Sequence, residues 1–431
     1  MFEKNVNKTI ETKEKTKKPA RTRKISKNSG FIPFPDLKKL SKKLKKKNKK
    51  IVFTIGSFSL LHPGHCRYLA EAKAKGDILV VGISSDSSDA RNKGQLFPLL
   101  SDQIRAELVS YLKVVDYVTI VDEDRPHATL ILLEPDIFFT SSHAWEQGIR
   151  GEQDKAIVKS YGGKIITRKD AKPYYNASAL IEHIASIRVI QILENFFKEK
   201  IPEFDLDSNE HLNPVDFGTQ IPNNSKAFRA DKQIVDFKDL EELGVSARQT
   251  PNKKDAKGKK IRKRKPKIVF VSGSYDLLHV GHARFIKEAS LLGDILVVGI
   301  PSDTSLRKLK GIGRPVITQY SRAYTLASLE FVDYVTVFDD STVLPSLERL
   351  RPDVFYTVNE SWNGGYKESP EYKFVASYKG KVVLGDRQSP NLSASAIIDR
   401  AAHEKVKEIF SECMDEERYE RILAEKSRFQ V

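Results

Sequence analysis

The chain has 431 residues, 40% of them hydrophobic, enough for two compact cores, and its two cysteines exclude a disulfide framework and fit a reducing, cytoplasmic setting. Apolar runs such as Ile78-Leu79-Val80-Val81 are of strand length, so none reads as a membrane span, and the lysine-rich amino terminus lacks the apolar stretch of a secretory signal. The formal charge of +16 is localised: residues 1–50 carry 19 Lys/Arg against 4 Asp/Glu, residues 251–267 carry 10 against one, and the remainder is net negative.

Residues 1–48 read as a basic disordered tail, because blocks of like charge stay unfolded. Such a tail offers weak contact with nucleic acid or an anionic surface. A first α/β unit is expected over 49–187. It opens with a β-branched strand at 51–56 and a helix from about Gly64 to Lys75. Strand 77–83 follows, then a helix over 101–113, where Ile104, Leu108 and Leu112 recur one turn apart. Strand 117–121, a helix near 127–133 and strands at 136–139 and 164–167 complete the unit, and 178–200 reads as its terminal helix. Residues 188–265 hold the end of that helix and a polar, then basic, linker, with at most one short helix around 236–243. Residues 259–265 have nuclear-import composition. A second unit spans 266–404, and 405–431 forms a charged carboxyl-terminal helix.

The second unit copies the first. A constant offset of 217 positions carries Lys93 onto Lys310, Arg105 onto Arg322, Asp116-Tyr117-Val118-Thr119 onto Asp333-Tyr334-Val335-Thr336 and Trp145 onto Trp362. A domain-sized repeat is a duplicated fold. Strands apolar on both faces and alternating with helices predict two tandem Rossmann-like parallel sheets, with ligands beyond the carboxyl ends of the strands.

The most informative repeat is a turn between the first strand and first helix of each unit. It reads Gly56-Ser57-Phe58-Ser59-Leu60-Leu61-His62-Pro63-Gly64-His65 and Gly273-Ser274-Tyr275-Asp276-Leu277-Leu278-His279-Val280-Gly281-His282. Gly56 and Gly273 permit close backbone approach to a nucleotide, and Gly64 and Gly281 leave room between the imidazoles. The helix amino terminus adds N–H groups and a positive dipole end. A zinc helix would space its histidines i, i+4 with a glutamate. Here the spacing is i, i+3 across a turn, so a phosphate grip is the better reading. Lys93 and Lys310 are candidates for an acceptor phosphate. Asp86 and Asp303 end a strand at the same edge, as acceptor contacts or helix caps.

These residues, with Gly293-Asp294-Ile295-Leu296-Val297-Val298-Gly299-Ile300 and Asp303, resemble the cytidylyltransferase-like superfamily of nucleotidyltransferases. The second unit is most similar to the branch holding glycerol-3-phosphate cytidylyltransferase and heptose 1-phosphate adenylyltransferase. Lys310-Gly311-Ile312-Gly313-Arg314-Pro315 resembles its Lys-Gly-x-x-Arg-Pro loop, and Leu392-Ser393-Ala394-Ser395 its Ile-Ser-Thr-Thr segment. The resemblance implies nucleotidyl transfer from CTP or ATP to a phosphorylated polyol, sugar or alcohol, with Mg²⁺ on the triphosphate. It implies phosphate contacts from His62, His65, His279, His282, Arg322 and Arg105. It implies nucleotide contacts from Ser57, Phe58, Ser274, Tyr275, Asp276, Arg314, Ser393, Ser395 and Ser178, and pairing of the units within one chain or as a homodimer. The first unit departs from the pattern, with Ser59 for Asp276, Phe97 for Arg314 and Asn176 for Ser393. It reads as a weakened enzyme, a regulatory nucleotide binder or a unit for another substrate. Two further readings of the whole chain stay open. One is a nucleotide-binding module without turnover, docked on nucleic acid or a ribosome by its basic segments. The other is a scaffold.

Overall fold

A computed structural model describes residues 30–93, 98–141, 150–168, 180–188, 213–216, 228–248, 264–311, 313–362, 365–389 and 392–413. The first repeat runs β1 (Gly30–Phe31), α1 (Leu37–Lys45), β2 (Ile51–Gly56), α2 (Pro63–Lys73), β3 (Ile78–Ser84), α3 (Asp86–Lys93) and α4 (Asp102–Ser110). It continues through β4 (Tyr117–Val121), α5 (His127–Leu133), β5 (Ile137–Ser141), α6 (Arg150–Ser160) and β6 (Lys164–Arg168). The second runs β7 (Ile234–Val235), α7 (Leu240–Ser246), β8 (Ile268–Ser272), α8 (Val280–Ser290), β9 (Ile295–Pro301), α9 (Asp303–Lys310) and α10 (Gln319–Ala327). β10 (Tyr334–Phe338), α11 (Leu344–Leu350), β11 (Val354–Val358), α12 (Pro370–Ser377), β12 (Lys381–Gly385) and α13 (Ala394–Cys413) complete it.

Each repeat builds a six-stranded parallel sheet, in the orders β1-β4-β3-β2-β5-β6 and β12-β11-β8-β9-β10-β7. The two tandem α/β units are therefore Rossmann-like. The central strands are buried on both faces: Ile51, Val52 and Phe53 in β2 and Ile268, Val269 and Phe270 in β8 are fully covered. Aspartates cap the amides at the amino ends of the strands, in the same way in both repeats. Asp116 accepts from the Leu79 amide and Asp333 from that of Leu296, at 2.8 and 2.7 Å. Asp136 does the same for Ile51 and Asp353 for Ile268, at 2.7 and 2.9 Å. The strand order reverses beside β2 and β8, so the histidine turns leave the sheet at its topological switch point.

Two expectations are corrected. Residues 30–48 are not tail: β1 pairs with β4, and Leu37, Leu40 and Leu44 of α1 are buried. The linker is not wholly linker either. β7 pairs with β10, α7 packs on α11 as α1 packs on α5, and Val215 bridges to Ile317. Each repeat thus opens with a βα unit that the constant offset hides. Phe34-Pro35-Asp36-Leu37-Lys38-Lys39-Leu40 matches Phe237-Lys238-Asp239-Leu240-Glu241-Glu242-Leu243 at an offset of 203, because residues 247–267 of the second repeat replace the short connection 46–50. Residues 1–29, the basic run 251–263 and 414–431 lie outside the described residues. No helix among the described residues is long and apolar enough to cross a membrane.

The repeats meet about a pseudo-two-fold axis. Leu112 bridges antiparallel to Leu329, its own counterpart at the 217 offset. The Lys113 amide donates to Ser328 O at 3.0 Å, and the Glu330 amide donates to Tyr111 O at 2.8 Å, each bond the image of the other. Helix α2 packs on α10 and α4 on α8. One apolar core draws on both sheets, and a second joins Leu180, Ile184 and Ile187 to Leu277, Val316, Ile397 and Ile398.

Candidate active site

The β8–α8 turn holds its imidazoles by burial. His279 is 4% exposed, and its ring stacks on His282 with centroids 3.7 Å apart and planes 25° from parallel. A Cβ on Gly281 would lie 3.1 Å from the His279 ring and 3.0 Å from Ser389 Cβ, so glycine is what lets this ring settle against the helix start. Tyr275 sits at φ 45°, a left-handed conformation that costs a non-glycine residue about 1–2 kcal/mol, and it tucks its ring under Gly273. The first repeat reproduces this. Phe58 has φ 51°, and His62 stacks on His65 at 3.7 Å and 27°.

Burial lowers the His279 pKa to about 4 and holds that of His282 well below its usual value, with repulsion from His279 and Lys310 adding to it. Both rings are therefore neutral at pH 7. Their Nδ1 atoms and the Tyr275 hydroxyl are buried without a hydrogen-bond partner among the described residues. Buried polar atoms are ordinarily satisfied, so an unfilled set at a switch point marks a place for a ligand.

Cations line the mouth. Lys310 Nζ donates to Ser274 Oγ at 3.0 Å, and burial with nearby arginines lowers its pKa. Arg314 donates to Asp276 Oδ2 at 2.7 Å and to Ser395 Oγ at 3.3 Å. Asp276 also accepts from the amides of Val316 and Ile317, so it anchors the Arg314 loop. Arg387 acts on the charges of both His282 and Lys310. Reasoning from the sequence missed it, although the 217 offset sets Asp170 opposite it and so marks it as a difference between the repeats.

Other candidates fall elsewhere. Arg322 does not face the mouth. It is 2% exposed and donates to Ile317 O, Ser274 O, Pro301 O and Asp303 Oδ1 at 2.8–3.1 Å. Arg105 likewise donates to Leu100 O, Ser57 O and Asp86 Oδ1. Both guanidiniums brace the turn from behind; Asp303 is the ion-pair partner of Arg322, and Asp86 and Asp89 are those of Arg105. The Ser393 hydroxyl accepts from the Ala396 amide at the start of α13. In the first repeat Asp89, buried, accepts from Ser57 Oγ and from Ser84 Oγ, and Ser57 Oγ lies 2.5 Å from Ser59 Oγ. The second repeat has Leu306 in place of Asp89. Ser178, Asn176, Phe97, Trp145 and the Lys93 side chain lie outside the described residues. No three His, Cys, Asp or Glu side chains among the described residues converge to hold a metal ion, and Asp276 is already committed. These residues suit a metal that arrives on a polyphosphate better than a resident one.

Two parallel-sheet units, each with stacked imidazoles at the switch point, define a tandem α/β protein with a candidate ligand site in each repeat. The chain belongs to the cytidylyltransferase-like family, whose model matches residues 53–202 and 270–400. It is similar to the bifunctional protein HldE of Syntrophotalea carbinolica, at 42% identity over 147 residues covering 32% of this chain and 28% of that protein. It is also similar to the bifunctional protein HldE of Campylobacter curvus, at 45% identity over 119 residues covering 28% of this chain and 22% of that protein. The chain thus spans under a third of the length of these relatives. The lipopolysaccharide core biosynthesis protein from Thermoplasma volcanium, a solved structure, is 32% identical, with 30% of this chain and 99% of that one covered and a TM-score of 0.25.

Proposed function

We propose that the second repeat transfers a nucleotidyl group from CTP or ATP to a phosphorylated sugar, polyol or alcohol. An acceptor phosphate oxygen attacks the α-phosphorus, the α–β bridging P–O bond breaks, and pyrophosphate leaves with the electron pair. The observation that carries this reading is the neutral His279–His282 stack, buried and partnerless at Nδ1, opening on Lys310, Arg314 and Arg387. Neutral imidazoles donate N–H groups to the triphosphate while the cations offset its crowded charge, so catalysis is positioning and electrostatics. Mg²⁺ carried by the triphosphate supplies further neutralisation when bound. The resemblance of Lys310-Gly311-Ile312-Gly313-Arg314-Pro315 to the loop of the glycerol and heptose branch supports a sugar or polyol phosphate as acceptor.

The first repeat, on this reading, keeps the imidazole stack without turnover. It has Phe97 for Arg314 and Asp170 for Arg387, and it sets the Asp89 carboxylate against the Ser57 hydroxyl. Asp89 is ion-paired with Arg105 at 3.3 Å, so the turn's serine hydroxyl and its bracing arginine are both engaged with a carboxylate that the second repeat lacks.

The test is pyrophosphate release from each of the four triphosphates with a panel of sugar, polyol and amino-alcohol phosphates. His279→Ala should lower turnover roughly 10²–10³-fold, and His62→Ala should leave it unchanged. Nucleotide binding with no release for any pair would make this a binding module. Loss with His62→Ala alone would move the chemistry to the first repeat.

A further inference from the structure

Helix α1 and the turn that follows it present six lysines around one open depression beside Pro35: Lys38, Lys39, Lys42 and Lys43 on the helix, Lys46 at its C-cap and Lys47 in the turn. All six are exposed, and among the described residues none has a carboxylate partner; Lys45, on the other flank, pairs with Glu134. The fold does not ask for this charge. Helix α7 does the same packing job in the second repeat, with Glu241 and Glu242 where α1 has Lys38 and Lys39. Helix physics opposes it as well. Cations in a first turn face the positive end of the dipole, and like charges at i, i+4 each cost about 0.2–0.5 kcal/mol. Lys38, Lys42 and Lys46 form one such row and Lys39, Lys43 and Lys47 another. The dipole favours Lys42 and Lys43 in the last turn, but the first-turn lysines and the like-charge rows have no stabilising role in the helix.

We propose that α1 docks the protein on a nucleic-acid strand through its phosphates. Four-residue spacing sets the ammonium groups of each row about 6 Å apart, a step suited to consecutive phosphates of a polynucleotide. The lysine face carries no aromatic side chain to stack on a base, so binding is independent of sequence. A membrane surface fits less well. Leu37, Leu40 and Leu44, the apolar side of the helix, are buried in the protein and have nothing to insert into a bilayer.

The experiment uses the full chain, which carries other basic segments, so it reads the difference between wild type and variants. Fluorescence anisotropy with a labelled single-stranded oligonucleotide of about 20 nucleotides is followed between about 50 and 200 mM salt. Substituting Lys38, Lys39, Lys42 and Lys43 by Gln should weaken binding more than 10-fold and flatten the log–log salt slope by about 3, at roughly 0.7 per lost phosphate contact. Turnover at the second repeat should not change. Should that variant fold poorly, Lys38→Glu with Lys39→Glu, which copies α7, should still flatten the slope by about 1.4. An unchanged slope in a folded variant overturns the proposal and leaves any binding to the other basic segments. So does a variant that keeps the oligonucleotide but loses phosphatidylcholine vesicles containing about 30% phosphatidylserine, which would make α1 a membrane contact.

Discussion

His279 shows how much one side chain depends on its surroundings. In the unfolded chain its imidazole titrates near 6.5, and in the folded protein burial lowers this to about 4. Between these values the unfolded state binds more protons, so the stability this residue contributes is complete above pH 6.5 and is lost as pH falls toward 4. His62 and His282 shift in the same direction. The unliganded protein should therefore unfold at lower urea at pH 5 than at pH 7. His279→Asn should reduce that difference by up to about 1.4 kcal/mol per pH unit; an unreduced pH dependence would show that the ring titrates normally. The histidines were legible in the sequence because the motif occurs twice in identical register. The arginines were legible as residues of the site but not in their role. Only the fold shows that Arg322 and Arg105 turn inward, because backbone carbonyls from three separate segments around Arg322 create a buried place that a guanidinium fills.

At the level of elements, the two halves of the interface are unequal. Arg284, two residues past His282, donates from Nε and NH2 to Glu107 of α4 at 2.7 and 2.6 Å, and from NH1 to Ser389 Oγ at 3.4 Å. The first repeat thus supports the wall of the second repeat's site. The mirror contact is Arg67 over the Tyr324 ring at 5.4 Å. A bidentate pair as exposed as this one is worth up to about 1 kcal/mol. Glu107→Gln should therefore raise the KM for triphosphate several-fold with little change in melting temperature, while Tyr324→Leu, which removes the ring under Arg67, should leave KM alone. Equal effects of the two would mean that the contact only glues the repeats together. Elements with apolar periodicity, such as α4 and β2, were legible in the sequence. Helix α3, with the sequence Asp86-Ser87-Ser88-Asp89-Ala90-Arg91-Asn92-Lys93, was not, because it packs with Ser88 and Asp89 rather than with an apolar stripe. Strands β1 and β7 were missed because two residues carry no period.

Across the whole molecule, the largest apolar core contains Leu69, Leu108 and Leu112 from one repeat together with Phe285, Tyr324 and Leu329 from the other. Domains that share a core unfold together. Calorimetry should show one cooperative transition, and two well-separated peaks would contradict a shared core. The isologous contacts on either side of Leu112 and Leu329 are those of a symmetric dimer made within one chain.

The sequence by itself determined the duplication, the parallel α/β class and the histidine turn, since all three are written in local periodicity and in a register kept over 217 positions. Tertiary structure alone decided which charges face the mouth and which brace it, where the tail ends and the fold begins, and how the repeats lean on each other. Those outcomes depend on burial and on partners far apart in the chain, such as Glu107 with Arg284, and no local pattern encodes them.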